Sequence, residues 1–149
     1  RLIQMLEEQH VDAAMLYTSD HGEDIFDDSR HLFLHASPVP SYYQLHVPFL
    51  IWMSDSYRET HPEHWQAAMD NKDKDVSSSS SFLKTILDLG GIETPYRDDS
   101  QSVATSLYQM KPRAYLNDHN EPRPLDDLGM KKQDFQMLEQ KEIKYKEKY

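Results

Sequence analysis

Only two stretches of this 149-residue chain are apolar enough to form buried strands, residues 13–17 and residues 47–53. Short, continuously apolar runs bounded by turn signals fit strands covered on both faces, in a parallel or mixed sheet flanked by helices. The first run leads into Thr18-Ser19-Asp20, and the second carries Pro48 near its start, a position tolerated at a strand's beginning or at a sheet edge. Neither approaches the roughly 20 residues that a membrane span requires. Between them, residues 20–46 are polar, contain Gly22, Pro38 and Pro40, and follow no period, so they read as one long loop. Loops of that length are usually functional or disordered, and the histidine and aromatic content here favours function. Two strands are too few for a complete buried sheet. The chain therefore reads as an incomplete α/β domain.

Helical patterns fill the rest. Leu2, Ile3, Met5 and Leu6 recur at helical spacing and suggest the end of an amphipathic helix. Residues 62–69 predict a helix with Pro62 in its first turn. Residues 70–81 form a charged, serine-rich connection with the composition of a linker. Ser81 stands where an N-cap belongs, before Phe82, Leu83, Ile86, Leu87 and Leu89, and Gly90-Gly91 supplies the stop. Residues 92–113 are irregular, and 113–117 is a candidate late strand. From Lys131 the pattern is a charged helix with an apolar stripe at Phe135 and Leu138, giving a division into a domain over 1–130 and a tail over 131–149.

Charge narrows the function classes. The chain carries 26 acids against 16 bases, for a net charge of −10. The tail holds six Lys and four acids, so residues 1–130 carry −12. Such a balance disfavours non-specific nucleic-acid binding and attachment to an anionic membrane surface, both of which want a basic face. With no cysteine there is no disulfide framework, thiol nucleophile or thiolate zinc site. The chain opens on Arg1, without a methionine or a signal-peptide pattern, and is expected to be a piece of something larger.

The residues with chemical potential concentrate in Thr18-Ser19-Asp20-His21-Gly22-Glu23, directly after the first apolar run. In α/β proteins, ligands sit beyond the carboxyl ends of the strands. Asp20 and His21 offer a carboxylate oxygen and an imidazole nitrogen, both acceptable to zinc or manganese. Neighbours on a strand point oppositely, so both reach one ion only if the chain turns, which Gly22 permits. His35 lies 14 residues further on, and His31 and His46 are further candidates in the same region. The acidic run of Glu23, Asp24, Asp27 and Asp28 is either a solvated loop or a second cation site. His10, His61, His64 and His119 lie in polar stretches and read as surface residues. Gly-x-Ser-x-Gly, phosphate-cradling glycine loops and His-Glu-x-x-His are absent, and Thr18, Ser19 and Ser37 lack the spatial evidence a nucleophile needs.

Residues 17–23 (Tyr-Thr-Ser-Asp-His-Gly-Glu), Leu34-His35 and residues 46–54 (His-Val-Pro-Phe-Leu-Ile-Trp-Met-Ser) together resemble the sulfatase-like branch of the alkaline phosphatase superfamily. More narrowly, they resemble the lipid A phosphoethanolamine transferases of Gram-negative bacteria. The resemblance covers about residues 1–130 and extends to Arg113-Ala114-Tyr115-Leu116-Asn117-Asp118. It implies the C-terminal portion of an alkaline phosphatase-like α/β/α sandwich with a mixed sheet, incomplete in this chain. It makes Asp20 and His21 ligands of a catalytic zinc. His35 becomes a catalytic residue near the transferred phosphoryl group or a second zinc, and Glu23 a carboxylate that orients His21. The threonine nucleophile and a further acidic ligand would come from a missing N-terminal half.

The implied function is transfer of phosphoethanolamine from phosphatidylethanolamine to a lipid A or glycan acceptor, at the periplasmic face of the inner membrane. Membrane attachment would lie in the missing segment only, and the fragment alone would be soluble and inactive. Two departures bear on this. Ala36 stands where the family commonly has glycine after Leu-His, and the disulfides of many relatives are absent. A sulfatase or phosphodiesterase of the same superfamily is the first alternative, and a non-catalytic binding module is the second.

Overall fold

A computed structural model describes residues 1–35, 39–117 and 119–143. Ala36, Ser37, Pro38, Asp118 and the lysine-rich end of the tail, singled out in the sequence, lie outside the described residues. The chain is divided into two compact units, one formed by residues 1–18 and 49–110 and the other by 19–48 and 111–149.

The first unit holds both apolar runs. Strand β1 (Ala14–Thr18) pairs antiparallel with a second strand over Phe49–Met53, Leu16 lying opposite Ile51. Pro48 falls just before that strand, where its missing N–H costs no ladder bond. The runs are half-buried rather than covered on both faces, with Tyr17 and Leu50 exposed. Continuity of apolar residues therefore overstated the cover. The helices of this unit are α1 (Leu2–Glu8), a short one over Asp55–Thr60, another over Pro62–Asn71 and a longer one over Ser78–Leu89. Its core joins Met53, Tyr57, Leu89 and Ala104, with Ala14, Ile51 and Ala68 against them.

Two local expectations change here. Helix 78–89 starts four residues earlier than the serine pattern suggested, with Ser77 at its N-cap, so the serine run is helical rather than a linker. Ser81 is inside the helix and buried, and its hydroxyl makes no hydrogen bond. The apolar face of 82–89 supplies packing that overrides the weak helix preference of serine. Asn71, at the end of helix 62–71, is buried and donates to the carbonyls of Val103 and Thr105, which fixes the irregular segment around residues 103–105 within this unit.

The second unit contains the long polar stretch, and it is not structureless. Asp24–Ile25 and Phe33–Leu34 form a two-residue hairpin pair, β2 and β3, and Tyr42–Leu45 forms a helical turn, α2. No period announces them because both are too short to show one. Tyr115–Leu116 pairs with Pro122–Arg123, giving the late strand in shortened form. Helix 132–140 buries Leu138 and half-buries Phe135, in a core with Tyr42, Leu125, Leu128 and Met130.

Charge holds this unit together as much as the apolar core does. Asp134, almost wholly buried, receives the Arg30 guanidinium through Nη1 at 2.7 Å and Nη2 at 2.8 Å. It also accepts the Tyr42 N–H at 2.9 Å and reaches back to the Lys131 N–H at 3.2 Å, capping its own helix. Arg30 grips Asp28 as well, and that contact holds the Asp28 carboxyl down at about 2. Removing Asp134 takes away one of the two carboxylates on the Arg30 guanidinium and leaves the Tyr42 and Lys131 N–H groups without this acceptor. Asp134→Ala is expected to destabilise the chain by roughly 3–5 kcal/mol, measured by urea unfolding followed by circular dichroism.

Candidate metal centre

Asp20, His21 and Glu23 follow β1 directly in the chain, and His35 comes one residue after β3. The turn that carries the first three is built by local hydrogen bonds. Ser19 Oγ donates to the His21 carbonyl at 2.6 Å, and the His21 N–H donates to Asp20 Oδ1 at 3.1 Å. That last bond leads the causes that hold the exposed Asp20 carboxyl below the usual carboxylate range, so it is a full anion at neutral pH.

Gly22 is required for a different reason from the one its turn suggested. Its φ is not in the left-handed region. Instead, its N–H donates to the Gln44 carbonyl at 2.9 Å, and a Cβ there would overlap the Tyr43 carbonyl oxygen. The turn is thus pressed against α2. Beside it, Asp24 is buried and accepts from Ser41 Oγ at 2.7 Å and from the Gln44 side-chain amide. These bonds place Glu23, one residue earlier.

The hairpin then brings His35 back. Its Nδ1 lies 2.6 Å from Glu23 Oε1, and the same oxygen is 3.8 Å from His21 Nδ1. The two imidazole rings lie 4.0 Å apart, tilted by 37°. His21, Glu23 and His35 each offer a ligand-capable atom within 4.8 Å of the others.

The hydrogen bonds also settle the tautomers. His21 Nδ1 is 3.0 Å from the Gly22 carbonyl oxygen, which can only accept, so Nδ1 carries the proton. His35 Nδ1 likewise faces an ionised carboxylate and donates to it. In the neutral rings both Nε2 atoms therefore keep a free lone pair. His21 Nε2 lies 3.8 Å from Asp20 Oδ2. An imidazole N–H held by a carboxylate, as at His35, or by a backbone carbonyl, as at His21, with the opposite nitrogen unprotonated, is the arrangement by which proteins orient histidine for metal binding.

The other candidates lie elsewhere. His31 has a left-handed backbone (φ 52°) and is exposed, while His46 is exposed with Nδ1 2.7 Å from the Tyr42 hydroxyl. Neither joins the His21 group among the described residues. Within the acidic run, Asp24 and Asp28 are occupied by Ser41, Gln44 and Arg30, while Glu23 joins the His21 group. The Glu23–His35 pairing was not visible in sequence, because a 12-residue separation has meaning only once the hairpin register is known.

A family model described as Sulfatase matches residues 1–92. The chain belongs to the sulfatase family. Among the curated relatives of this sulfatase-family chain, the phosphoethanolamine transferase CptA of Salmonella typhimurium is 28% identical over 113 residues, covering 75% of this chain and 19% of that protein. The phosphoethanolamine transferase EptC of Escherichia coli is 26% identical over 113 residues, with the same shares covered. The chain thus spans about a fifth of the length of these relatives. The C-terminal periplasmic domain of Escherichia coli EptC, solved in complex with zinc, superposes with a TM-score of 0.69 at 25% identity, over 86% of this chain and 36% of that one. The chain has the alkaline phosphatase-like α/β fold of that domain over the part it spans. No helix among the described residues is long and apolar enough to cross a membrane.

The close approach at Gly22 gives a direct test of how the loop is held. Gly22→Ala is expected to cost roughly 2 kcal/mol, read by thermal unfolding.

Proposed function

We propose that this chain carries the zinc-holding loop of a phosphoethanolamine transferase, which moves phosphoethanolamine from phosphatidylethanolamine to a lipid A or glycan acceptor in the periplasm. The observation that carries the reading is the pair of histidines, His21 and His35, beside Glu23. Each ring has its Nδ1 engaged and its Nε2 free, within a stretch matched to the sulfatase family. The similarity to named phosphoethanolamine transferases supports the choice of group transferred.

The donor set suits zinc, since imidazole nitrogen and carboxylate oxygen are its common protein ligands. Asp20 and His21 Nε2 would hold the ion, with the remaining ligands coming from outside these 149 residues. When bound, zinc supplies a Lewis acid that polarises a phosphoryl oxygen and favours an ionised hydroxyl nucleophile.

The chain's own side chains do the rest. Asp20 is anionic without assistance from a metal. Glu23 fixes His35 through its Nδ1–H, and the Gly22 carbonyl fixes His21 through its own Nδ1–H, so both rings keep Nε2 as the lone-pair site. His35 is assigned to the transferred phosphoryl group or to a second zinc. A threonine outside this chain would attack phosphorus as the bond to the diacylglycerol oxygen breaks, the hydroxyl proton passing to that leaving oxygen. The acceptor then takes the phosphoethanolamine from threonine in a second displacement.

The description of the family model favours a second reading, hydrolysis of a sulfate ester at the same loop. The two are separated by assaying the longer protein that contains this chain against phosphatidylethanolamine and against an aryl sulfate. In that protein, His21→Ala is expected to abolish zinc retention and phosphoethanolamine transfer. Glu23→Gln is expected to weaken zinc binding about 10–100-fold while leaving the ligands in place. Undiminished zinc content and transfer in His21→Ala would overturn the reading.

A further inference from the structure

A second group of metal-capable side chains lies in the other compact unit, at the junction of helices 55–60 and 62–71. His61 ends the first of these helices and precedes the second, Glu63 occupies the first turn of the second, and His64 follows it. One ligand-capable atom from each residue lies within 4.8 Å of the others. The His61 and His64 rings are stacked, 5.4 Å apart with 20° between their planes, and the Glu63 carboxylate is 3.7 Å from His61 Nδ1.

What separates this group from a chance surface cluster is the support behind His64. Its side chain is only 16% exposed. Tyr57 is buried, and its hydroxyl gives its single proton to the Leu89 carbonyl at 2.6 Å. The Tyr57 oxygen, 2.8 Å from His64 Nδ1, can therefore only accept there. Nδ1 must carry the proton, and Nε2 is left as the ring's lone-pair site in neutral histidine. The nearby Asp88 Oδ1 is 3.8 Å from that Nε2, beyond hydrogen-bond reach. Asp88 is otherwise held by Arg97 at 3.0 Å and Ser102 at 2.6 Å. The tautomer is thus set from the core side, and a buried carboxylate adds negative potential next to the free nitrogen. Arg97, a cation on this face, is neutralised by Asp88, Glu93 and Asp99.

We propose that His61, Glu63 and His64 form a second metal site, separate from the His21 loop, that takes a divalent transition-metal ion and ties the two helix ends together. Two imidazoles and one carboxylate suit zinc, nickel or copper rather than magnesium or calcium, which want all-oxygen shells. Water completes the coordination, since the His61 and Glu63 side chains are 42% and 66% exposed. Tyr57 and His64 come from two successive helices joined at the non-helical His61, so no single helical period announces the group in sequence.

The experiment first removes the loop cluster, using the full 149-residue chain with His21→Ala and His35→Ala, so that its outcome is independent of the function proposed above. Zinc and nickel are titrated separately by calorimetry, with magnesium as a control. One transition-metal ion per chain is expected, with no magnesium uptake. Adding His61→Ala, at a half-buried position, and Glu63→Gln, at an exposed one, is expected to lower the affinity at least about tenfold with an unchanged circular dichroism spectrum. Tyr57→Phe, which removes the oxygen that fixes the tautomer, is expected to weaken binding less. Absence of binding before those changes, or unchanged affinity after them, would overturn the proposal.

Discussion

A carboxylate taken out of water must be given donors, and the buried Asp24 receives two, from Ser41 and Gln44. Much of the candidate site depends on that arrangement. Asp24 fastens the start of the β2–β3 hairpin to α2, while Gly22 lets the preceding turn lie against the same α2 backbone. Glu23 is caught between these two fixed points. Its position is therefore a consequence of buried polar pairing on both sides, and the hairpin register then delivers His35 to it. A loop that would otherwise lose much conformational entropy in becoming ordered is held by a few bonds of high individual cost to break.

The same logic recurs in Arg30 and Asp134. Arg30 bridges a carboxylate of the acidic run to a buried one in helix 132–140, and Asp134 adds the Tyr42 N–H that begins α2. The acidic excess of the chain is thus partly internal. Asp24, Asp28 and Asp134 organise the unit, whereas the exposed Asp20 is left to face a cation and Glu23 holds His35. Chemistry and architecture use the same residue type, separated by which carboxylates have been supplied with donors.

Legibility in the sequence followed the range of the interaction. The two apolar runs marked the main strand pair, and the Pro62 and Gly90-Gly91 signals marked helix boundaries, because each depends on neighbouring residues. Asp20-His21-Gly22-Glu23 stands out as a candidate for the same reason, since four consecutive residues carry its pattern. The Ser81 cap was misplaced because packing of the 82–89 face extended the helix backward through poor helix formers. The Glu23–His35 contact and the Tyr57–His64–Asp88 group depend on hairpin register and on distant segments meeting, and no local pattern encodes either. Gly22 was identified correctly as special but for the wrong property: the absence of a side chain matters there, not freedom in φ.

The central claim is that the loop presents His21 Nε2 and Asp20 to a metal while Glu23 stands behind His35 and the Gly22 carbonyl behind His21. Diffraction data collected on both sides of the zinc absorption edge, from crystals of the longer protein grown with zinc, test it most directly. The expected result is an anomalous peak within about 2.3 Å of both His21 Nε2 and an Asp20 oxygen, with Glu23 still bonded to His35 Nδ1. A zinc ion bound without Asp20 and His21, or one held through Glu23 with Nδ1 of either ring turned toward it, would contradict the account.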